Sequence, residues 1–162
     1  MSNHYERLGL PRRFSLDLSE LERAYLAASL ATHPDFYTEA SSAEQQASDR
    51  VTAAINEAYS TLKDPYRRAE YLLALDGGPS AAEVKDIPPM FLLEMMELRE
   101  QIEVASDTQK QSIEADVQAR NAALFRDLRT QFDAVPVPQL AIRKQLNCAK
   151  YLRSLLRDLR GA

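Results

Sequence analysis

The chain has 162 residues, with 20 lysines and arginines against 24 aspartates and glutamates, a net charge of −4 at neutral pH. That length allows one or two small domains with a buried core, and the 45% hydrophobic and 27% charged residues are typical of a globular protein. The four scattered glycines exclude glycine-rich phosphate loops, and two histidines with one cysteine cannot form a zinc cage or an internal disulfide. We therefore expect a chain that binds no metal or cofactor.

Apolar residues recur at helical spacing in the first half of the chain. Pro34 disfavours helical geometry for the residue before it, so a helix should end near His33 and a polar loop should follow over 34–42. That helix should carry Leu18, Leu21, Tyr25 and Ala28 on one face. The predicted helical segments are a short one carrying Tyr5 and Leu8, one from Asp17 or Ser19 to near His33, one from Ala43 to about Leu62, and one from Tyr66 to Leu75.

The composition then changes at a turn cluster over 76–80, which the pair Pro88-Pro89 follows. We place a linker at 76–87, between a first domain at 1–75 and a second at 88–162. Three longer helices are expected in the second domain, over roughly 89–105, 108–133 and 138–160. Because no segment alternates apolar and polar residues for long, the predicted fold is all-α, with a three-helix bundle at the end.

Charge is unevenly distributed in that bundle. From Glu94 to Asp116 there are seven acids and two bases, whereas from Gln139 to Arg160 there are six bases and one acid. Helices of opposite charge attract when packed together, although each exposed pair contributes only about 0–1 kcal/mol. A basic face for nucleic acid or lipid is the alternative. Only Tyr151 could stack on a base there, and the sequence pI near 5.3 argues against it, so we expect no nucleic-acid or membrane partner. The absence of a leader and of an apolar run near 18 residues indicates a cytoplasmic protein.

The tripeptide His33-Pro34-Asp35 lies at the expected end of the second helix. Taken alone, it is a proline helix stop followed by a turn-forming aspartate. Its context is more specific. The chain opens with Tyr5-x-x-Leu8-Gly9-Leu10, Ala24-Tyr25 precedes the tripeptide, and Ile55-Asn56-x-Ala58-Tyr59-x-x-Leu62 follows it.

Together these motifs, over about residues 3–75, resemble a J-domain. The segment Tyr66-Arg67-Arg68-Ala69-Glu70-Tyr71-Leu72-Leu73 and the later Leu98-Arg99-Glu100 are similar to the HscB-type co-chaperones of iron–sulfur cluster assembly. This resemblance implies stimulation of ATP hydrolysis by a 70-kDa heat-shock-type chaperone (HscA type), with contacts from His33, Pro34, Asp35 and Arg23.

The residue chemistry is consistent with such a contact. Pro34 restricts the loop, Asp35 can accept charge-assisted bonds from a guanidinium, and His33 can donate or accept. No nucleophile with an adjacent base is evident, so we expect a non-enzyme. One departure is that J-domains commonly carry a basic stripe on the second helix, whereas Arg23 is the only base there. Either the partner surface is less acidic, or Arg12, Arg13 and Arg50 contribute.

The helix beginning near Pro89 carries two apolar stripes. At about 100° per residue, Phe91, Met95, Leu98 and Ile102 form the first. Leu92, Leu93 and Met96 form the second, with Glu97 and Glu100 at its rim. A three-helix bundle buries one stripe of about 100°, so the second should be exposed for a partner or packed against the first domain.

In the family that the chain resembles, this segment binds the iron–sulfur scaffold protein (IscU type), which implies that role for Leu92, Leu93, Met96, Glu97 and Glu100. An aromatic residue from the last helix usually joins them, whereas this chain has Asn147 or Cys148 there. We expect Cys148 to be a packed side chain and not a cluster ligand, since it lies in a periodic helix.

The resulting interpretation is a co-chaperone that brings a cluster scaffold to a chaperone ATPase. Three alternatives remain open at this point. The bundle could recruit a different protein client, so that the chain is a general J-domain adaptor. The basic last helix could bind nucleic acid or a membrane surface. An enzyme is the third, although no paired catalytic residues support it.

Overall fold

The computed structural model describes residues 2–33, 39 and 41–161. These residues form helices and no strand, which confirms the predicted all-α fold. No helix in this part of the chain combines the length and apolarity that a membrane span requires. The helices are α1 (His4–Arg7), α2 (Leu18–Ala31), α3 (Ser42–Lys63), α4 (Pro65–Leu75), α5 (Pro89–Val104), α6 (Asp107–Asp133) and α7 (Gln139–Leu159).

The helix ends follow local chemistry, and the predicted bounds are confirmed to within one or two residues. Asp17 caps α2 by accepting the Ser19 N–H at 2.8 Å, which decides between the two predicted caps. Ser106 begins α6 in a capping box with Gln109. At the end of α4, Gly77 has φ +81° and leads the chain away from the helix.

By contacts between its residues, the chain divides into a first unit ending at Leu72 and a second beginning at Leu73. The predicted limits of 1–75, 76–87 and 88–162 stay a prediction. In the first unit, α2 and α3 are antiparallel, because Tyr25 contacts the later part of α3 whereas Thr32, further along the chain, bonds to Ser48 and Thr52 in its earlier part. The ring of Tyr25 stacks on Tyr59 at 4.1 Å and its hydroxyl donates to Asn56 at 2.8 Å.

The first unit buries apolar side chains from all of its helices. Of the residues predicted to share one face of α2, Leu21 is buried, whereas Leu18, the first residue of the helix, is 55% exposed. Helical periodicity gives the face on which a residue lies, but not whether the first turn of a helix reaches a packing partner. The buried side chains are Tyr5, Leu8, Phe14, Leu21, Ile55, Ala58, Leu62, Ala69 and Leu72.

The second unit contains the three long helices. Met95, Val117, Leu152 and Leu155 form a buried cluster drawn from all three. An ion pair joins Glu94 to Arg120, and another joins Glu114 to Arg160, so α6 runs antiparallel to α5 and to α7. Phe91 packs edge-on against Tyr151 and Arg99 pairs with Asp158, so α5 and α7 run parallel. The order is therefore up-down-up.

The segment between α4 and α5 is held against α7. Gln139 donates its side-chain amide to the Asp76 carbonyl at 2.8 Å. The buried amide of Asn147 donates to the carbonyls of Val84 and Asp86, each at 3.0 Å. These bonds are made to backbone carbonyls that lie outside the helices and have no helical partner. The connection is therefore anchored along its length.

Candidate functional site

The C-terminal end of α2 is anchored to α3. The Thr32 carbonyl, one residue before His33, accepts from the hydroxyls of Ser48 and Thr52, each at 3.3 Å. Thr32 in turn donates its own hydroxyl to the Ala28 carbonyl at 3.0 Å. The end of the helix is thereby fixed although the carbonyls of its last turn lack helical partners. Sequence reasoning missed Ser48 and Thr52, because hydroxyl residues in a polar helix are not a distinctive signal.

His33 is exposed beyond this anchored helix end. Pro34 and Asp35, the other predicted residues of the tripeptide, lie outside the described residues. Arg23 is exposed on α2, and its Nε donates to the Ser19 carbonyl at 3.4 Å. The side chains of Arg23 and His33 are therefore both accessible to a partner.

The two apolar stripes of α5 have different environments. Met95 is 1% exposed, and Phe91, Leu98 and Ile102 pack against its cluster. This confirms the first stripe as the one that builds the bundle core. The second stripe is exposed. The exposed fractions are 37% for Leu92, 48% for Leu93 and 57% for Met96.

Acidic residues surround this second stripe, as predicted. Glu97 and Glu100 are both exposed at its edge. Glu97 also lines a groove between α5 and α6, together with Gln101 and Asp116. We call Leu92, Leu93, Met96, Glu97 and Glu100 the α5 patch. Its chemistry, apolar with a negative edge, fits an apolar partner surface that carries basic residues.

The two residues of α7 that stand where related proteins usually have an aromatic residue contribute little to such a surface. Asn147 and Cys148 are each 7% exposed. The amide of Asn147 holds the carbonyls of Val84 and Asp86, and its oxygen accepts from the buried Arg143 at 3.1 Å. Sequence reasoning missed this cluster, since its carbonyl partners lie more than sixty residues away.

Cys148 is a buried free thiol, and burial raises its pKa, which favours the neutral form over the metal-binding thiolate. Among the residues that the structure describes, no three His, Cys, Asp or Glu side chains form a group that could hold a metal ion. The position of Cys148 is therefore consistent with a packing role.

Some of the basic residues of α7 are buried in the bundle or paired with acids of the bundle. Arg143 is 1% exposed, and Arg160 pairs with Glu114 at 3.1 Å. Arg99 on α5 pairs with Asp158 on α7 at 3.0 Å. The pair of Glu114 with Arg160 supports the interpretation that an acidic segment and a basic helix attract each other, whereas Arg99 and Asp158 pair in the opposite sense. Burial of Arg143 and pairing of Arg160 leave less of α7 available to bind an anionic polymer.

Comparisons with known proteins agree with this architecture. Residues 3–71 match the family model described as DnaJ domain, and residues 87–160 match the one described as HSCB C-terminal oligomerisation domain. The co-chaperone protein HscB homolog of Vibrio cholerae is 47% identical over 102 residues, 62% of this chain and 60% of that protein. The homolog from Chromobacterium violaceum is 37% identical over 137 residues, 80% of this chain and 74% of that protein.

Solved structures show the same fold. The chaperone HscB from Vibrio cholerae matches 99% of this chain and 96% of its own, with TM-score 0.86 and 33% identity. The human co-chaperone protein HscB matches 99% of this chain and 81% of its own, with TM-score 0.90 and 24% identity, which shows the fold alone.

The antiparallel α2–α3 hairpin with His33 at its turn and the following helical unit define a J-domain protein with a C-terminal helical domain. Within that class, the chain belongs to the HscB co-chaperone family. Its curated relatives are named co-chaperones, and the alignments with the first of them span about three fifths of the relatives' length.

Proposed function

We propose that the chain is a co-chaperone that delivers an iron–sulfur cluster scaffold protein of the IscU type to a 70-kDa heat-shock-type chaperone ATPase of the HscA type. It stimulates ATP hydrolysis by that ATPase and so aids the maturation of iron–sulfur proteins. The cluster is cargo of the scaffold and does not bind this chain. Membership of the HscB family and the J-domain match support this proposal.

The observation that carries the proposal is the α5 patch. Leu92, Leu93 and Met96 remain exposed on a helix whose other apolar stripe packs into the bundle core. Exposed apolar clusters of this kind mark interaction sites more often than single exposed residues do. Methionine side chains are flexible, so the exposed Met96 can adapt its shape to a partner surface.

The ATPase contact is assigned to His33, Pro34, Asp35 and Arg23 in the first unit. His33 follows a helix end that two hydroxyl bonds hold in place, so less conformational entropy is lost when a partner binds it. The same chain then carries one surface for each partner. Joining them raises the effective concentration of the scaffold at the ATPase.

Steady-state ATP turnover by a chaperone ATPase of this type tests the proposal. The chain and the scaffold are added separately and together. We expect more stimulation from both together than from either alone, and loss of stimulation by the chain in His33→Gln. Unchanged stimulation by His33→Gln would refute the role of the loop.

The α5 patch is tested by scaffold capture with Leu92→Ala/Met96→Ala. Losing two partly exposed apolar contacts of about 1 kcal/mol each should weaken binding roughly tenfold or more. Leu140→Ala is the matched control, because Leu140 is 51% exposed on α7 and outside the patch. If His33→Gln abolishes stimulation but no scaffold binds the unmodified chain, the bundle serves a different client and the chain is a general J-domain adaptor.

A further inference from the structure

The start of α5 has no side-chain cap of its own. Pro88 precedes the helix and makes no side-chain capping bond, whereas Asp17 caps α2 and Ser106 caps α6. The first helical hydrogen bond of α5 runs from the Leu92 N–H to the Pro88 carbonyl at 3.1 Å. Leu92 and Leu93 of the α5 patch therefore lie at the beginning of a helix that needs support from outside it.

Asn147 on α7 provides such support. Its side-chain amide donates to the carbonyls of Val84 and Asp86, each at 3.0 Å. Its side-chain oxygen accepts from Nε of Arg143 at 3.1 Å. The bonds on both sides of the amide fix its orientation, with the oxygen towards Arg143 and the nitrogen towards the two carbonyls. Asn147 and Arg143 are both buried, where the loss of such bonds is costly.

The chain between this bond and α5 is short and stiff. Only Ile87 separates Asp86, whose carbonyl Asn147 holds, from Pro88. A proline fixes its own φ and restricts the residue before it, so the pair Pro88-Pro89 leaves this stretch few conformations. The place at which Asn147 holds Asp86 therefore determines where α5 can begin.

The same face of α7 also contacts α5 directly. Tyr151 lies four residues after Asn147, and Phe91 packs edge-on against it with the ring centroids 6.4 Å apart. The aromatic contact holds the buried stripe of α5, and the bonds of Asn147 hold the chain that enters the helix. The two together set how the first turns of α5 are presented at the surface.

We propose that Asn147 is a positioning residue for the scaffold site, holding the start of α5 so that Leu92 and Leu93 are presented in the arrangement that the scaffold binds. This inference rests on the proposed function and deepens it, since it names a buried residue that acts through the α5 patch. A surface held in its binding conformation loses less conformational entropy when a partner binds. Freeing the start of α5 should therefore weaken scaffold binding although every side chain of the patch is unchanged.

The test compares Asn147→Asp with Gln139→Glu in the full chain. Asn147→Asp keeps an oxygen for Arg143 but replaces the amide donor with an acceptor that faces two carbonyls. Gln139→Glu makes the same chemical change on the same helix, where the amide donates to the Asp76 carbonyl far from α5. We expect the dissociation constant of the scaffold, measured by titration calorimetry, to rise about tenfold in Asn147→Asp and less than about twofold in Gln139→Glu. Hydrogen exchange at the Leu92 amide should become about tenfold faster in Asn147→Asp alone.

Two further variants separate positioning from stability. Leu155→Ala removes a core side chain of α7 that is 1% exposed, so it should lower the stability in urea but leave the dissociation constant unchanged. The second variant inserts two glycines between Ile87 and Pro88, which keeps the bonds of Asn147 but uncouples them from α5. It should weaken scaffold binding as Asn147→Asp does, and it decides the question if Asn147→Asp does not fold.

Two results would overturn the inference. One is an unchanged dissociation constant in the glycine-insertion variant or in folded Asn147→Asp. The other is an equal rise in Leu155→Ala, which would mean that scaffold binding follows stability alone. If the unmodified chain binds the scaffold and every variant binds it equally well, only the role of Asn147 is refuted. If the unmodified chain binds no scaffold, the proposed function is refuted and this inference with it.

Discussion

The adjacent methionines of α5 provide a direct test of its two faces. Met95 is 1% exposed within the core of the second unit, and Met96 is 57% exposed on the α5 patch. Met95→Ala removes a buried side chain and leaves a cavity, which should lower the free energy of unfolding by about 2–5 kcal/mol. In a chain of this length the melting temperature should fall by roughly 5–15 °C.

Met96→Ala shortens an exposed side chain on the same helix, so the free energy of unfolding should change by no more than about 0.5 kcal/mol. It should instead weaken capture of the scaffold. Urea unfolding followed by circular dichroism at about 222 nm, the helical signal, gives the first quantity, and pull-down gives the second. Equal destabilisation by the two substitutions, or a stable Met95→Ala variant, would refute the assignment of the faces.

Three further predictions concern stability. In Gly78→Ala the new Cβ would clash with Cδ1 of the buried Leu73, so the free energy of unfolding should fall by about 1–3 kcal/mol in urea titrations. Asn147→Leu removes the donor to two backbone carbonyls and should lower the same quantity by about 2–4 kcal/mol. Partial burial lowers the pKa of His4 below the usual histidine value of about 6.5, so the unfolded chain takes up a proton at a higher pH than the folded chain does. Stability should therefore fall as the pH drops below about 6.5, and less so in His4→Phe, which keeps a ring against Tyr71.

Gly77, next to Gly78, is constrained by its backbone conformation and not by a close neighbour. Gly77→Asn should be milder than Gly77→Ala, because φ is +81° there and asparagine tolerates that conformation. Lys150→Ala, at an exposed position of α7, should be neutral where Asn147→Leu is not. The reasoning on His4 is wrong if His4→Phe loses as much stability as the unmodified chain between about pH 7 and 5. A fully stable Gly78→Ala would show that Leu73 can move aside.

Much of the fold could be predicted because the signals are local. Capping residues, prolines and helical periodicity depend on neighbours within one or two turns, and they gave the helix bounds closely. Leu18 shows the limit of that reasoning: it continues an apolar face in the sequence, yet no partner covers it. For the site, motif spacing predicted the position of His33 but not the bonds from Ser48 and Thr52 that fix the helix before it.

By itself, the sequence determined that α5 carries two apolar stripes and that α2 carries almost no positive charge, since composition and helical spacing settle both. Only the tertiary structure decided which stripe is buried and that Asn147 and Arg143 lie inside. Burial depends on residues that are distant along the chain. Val117 and Leu152 cover Met95, and the carbonyls of Val84 and Asp86 accept hydrogen bonds from the amide of Asn147. No local pattern contains those partners.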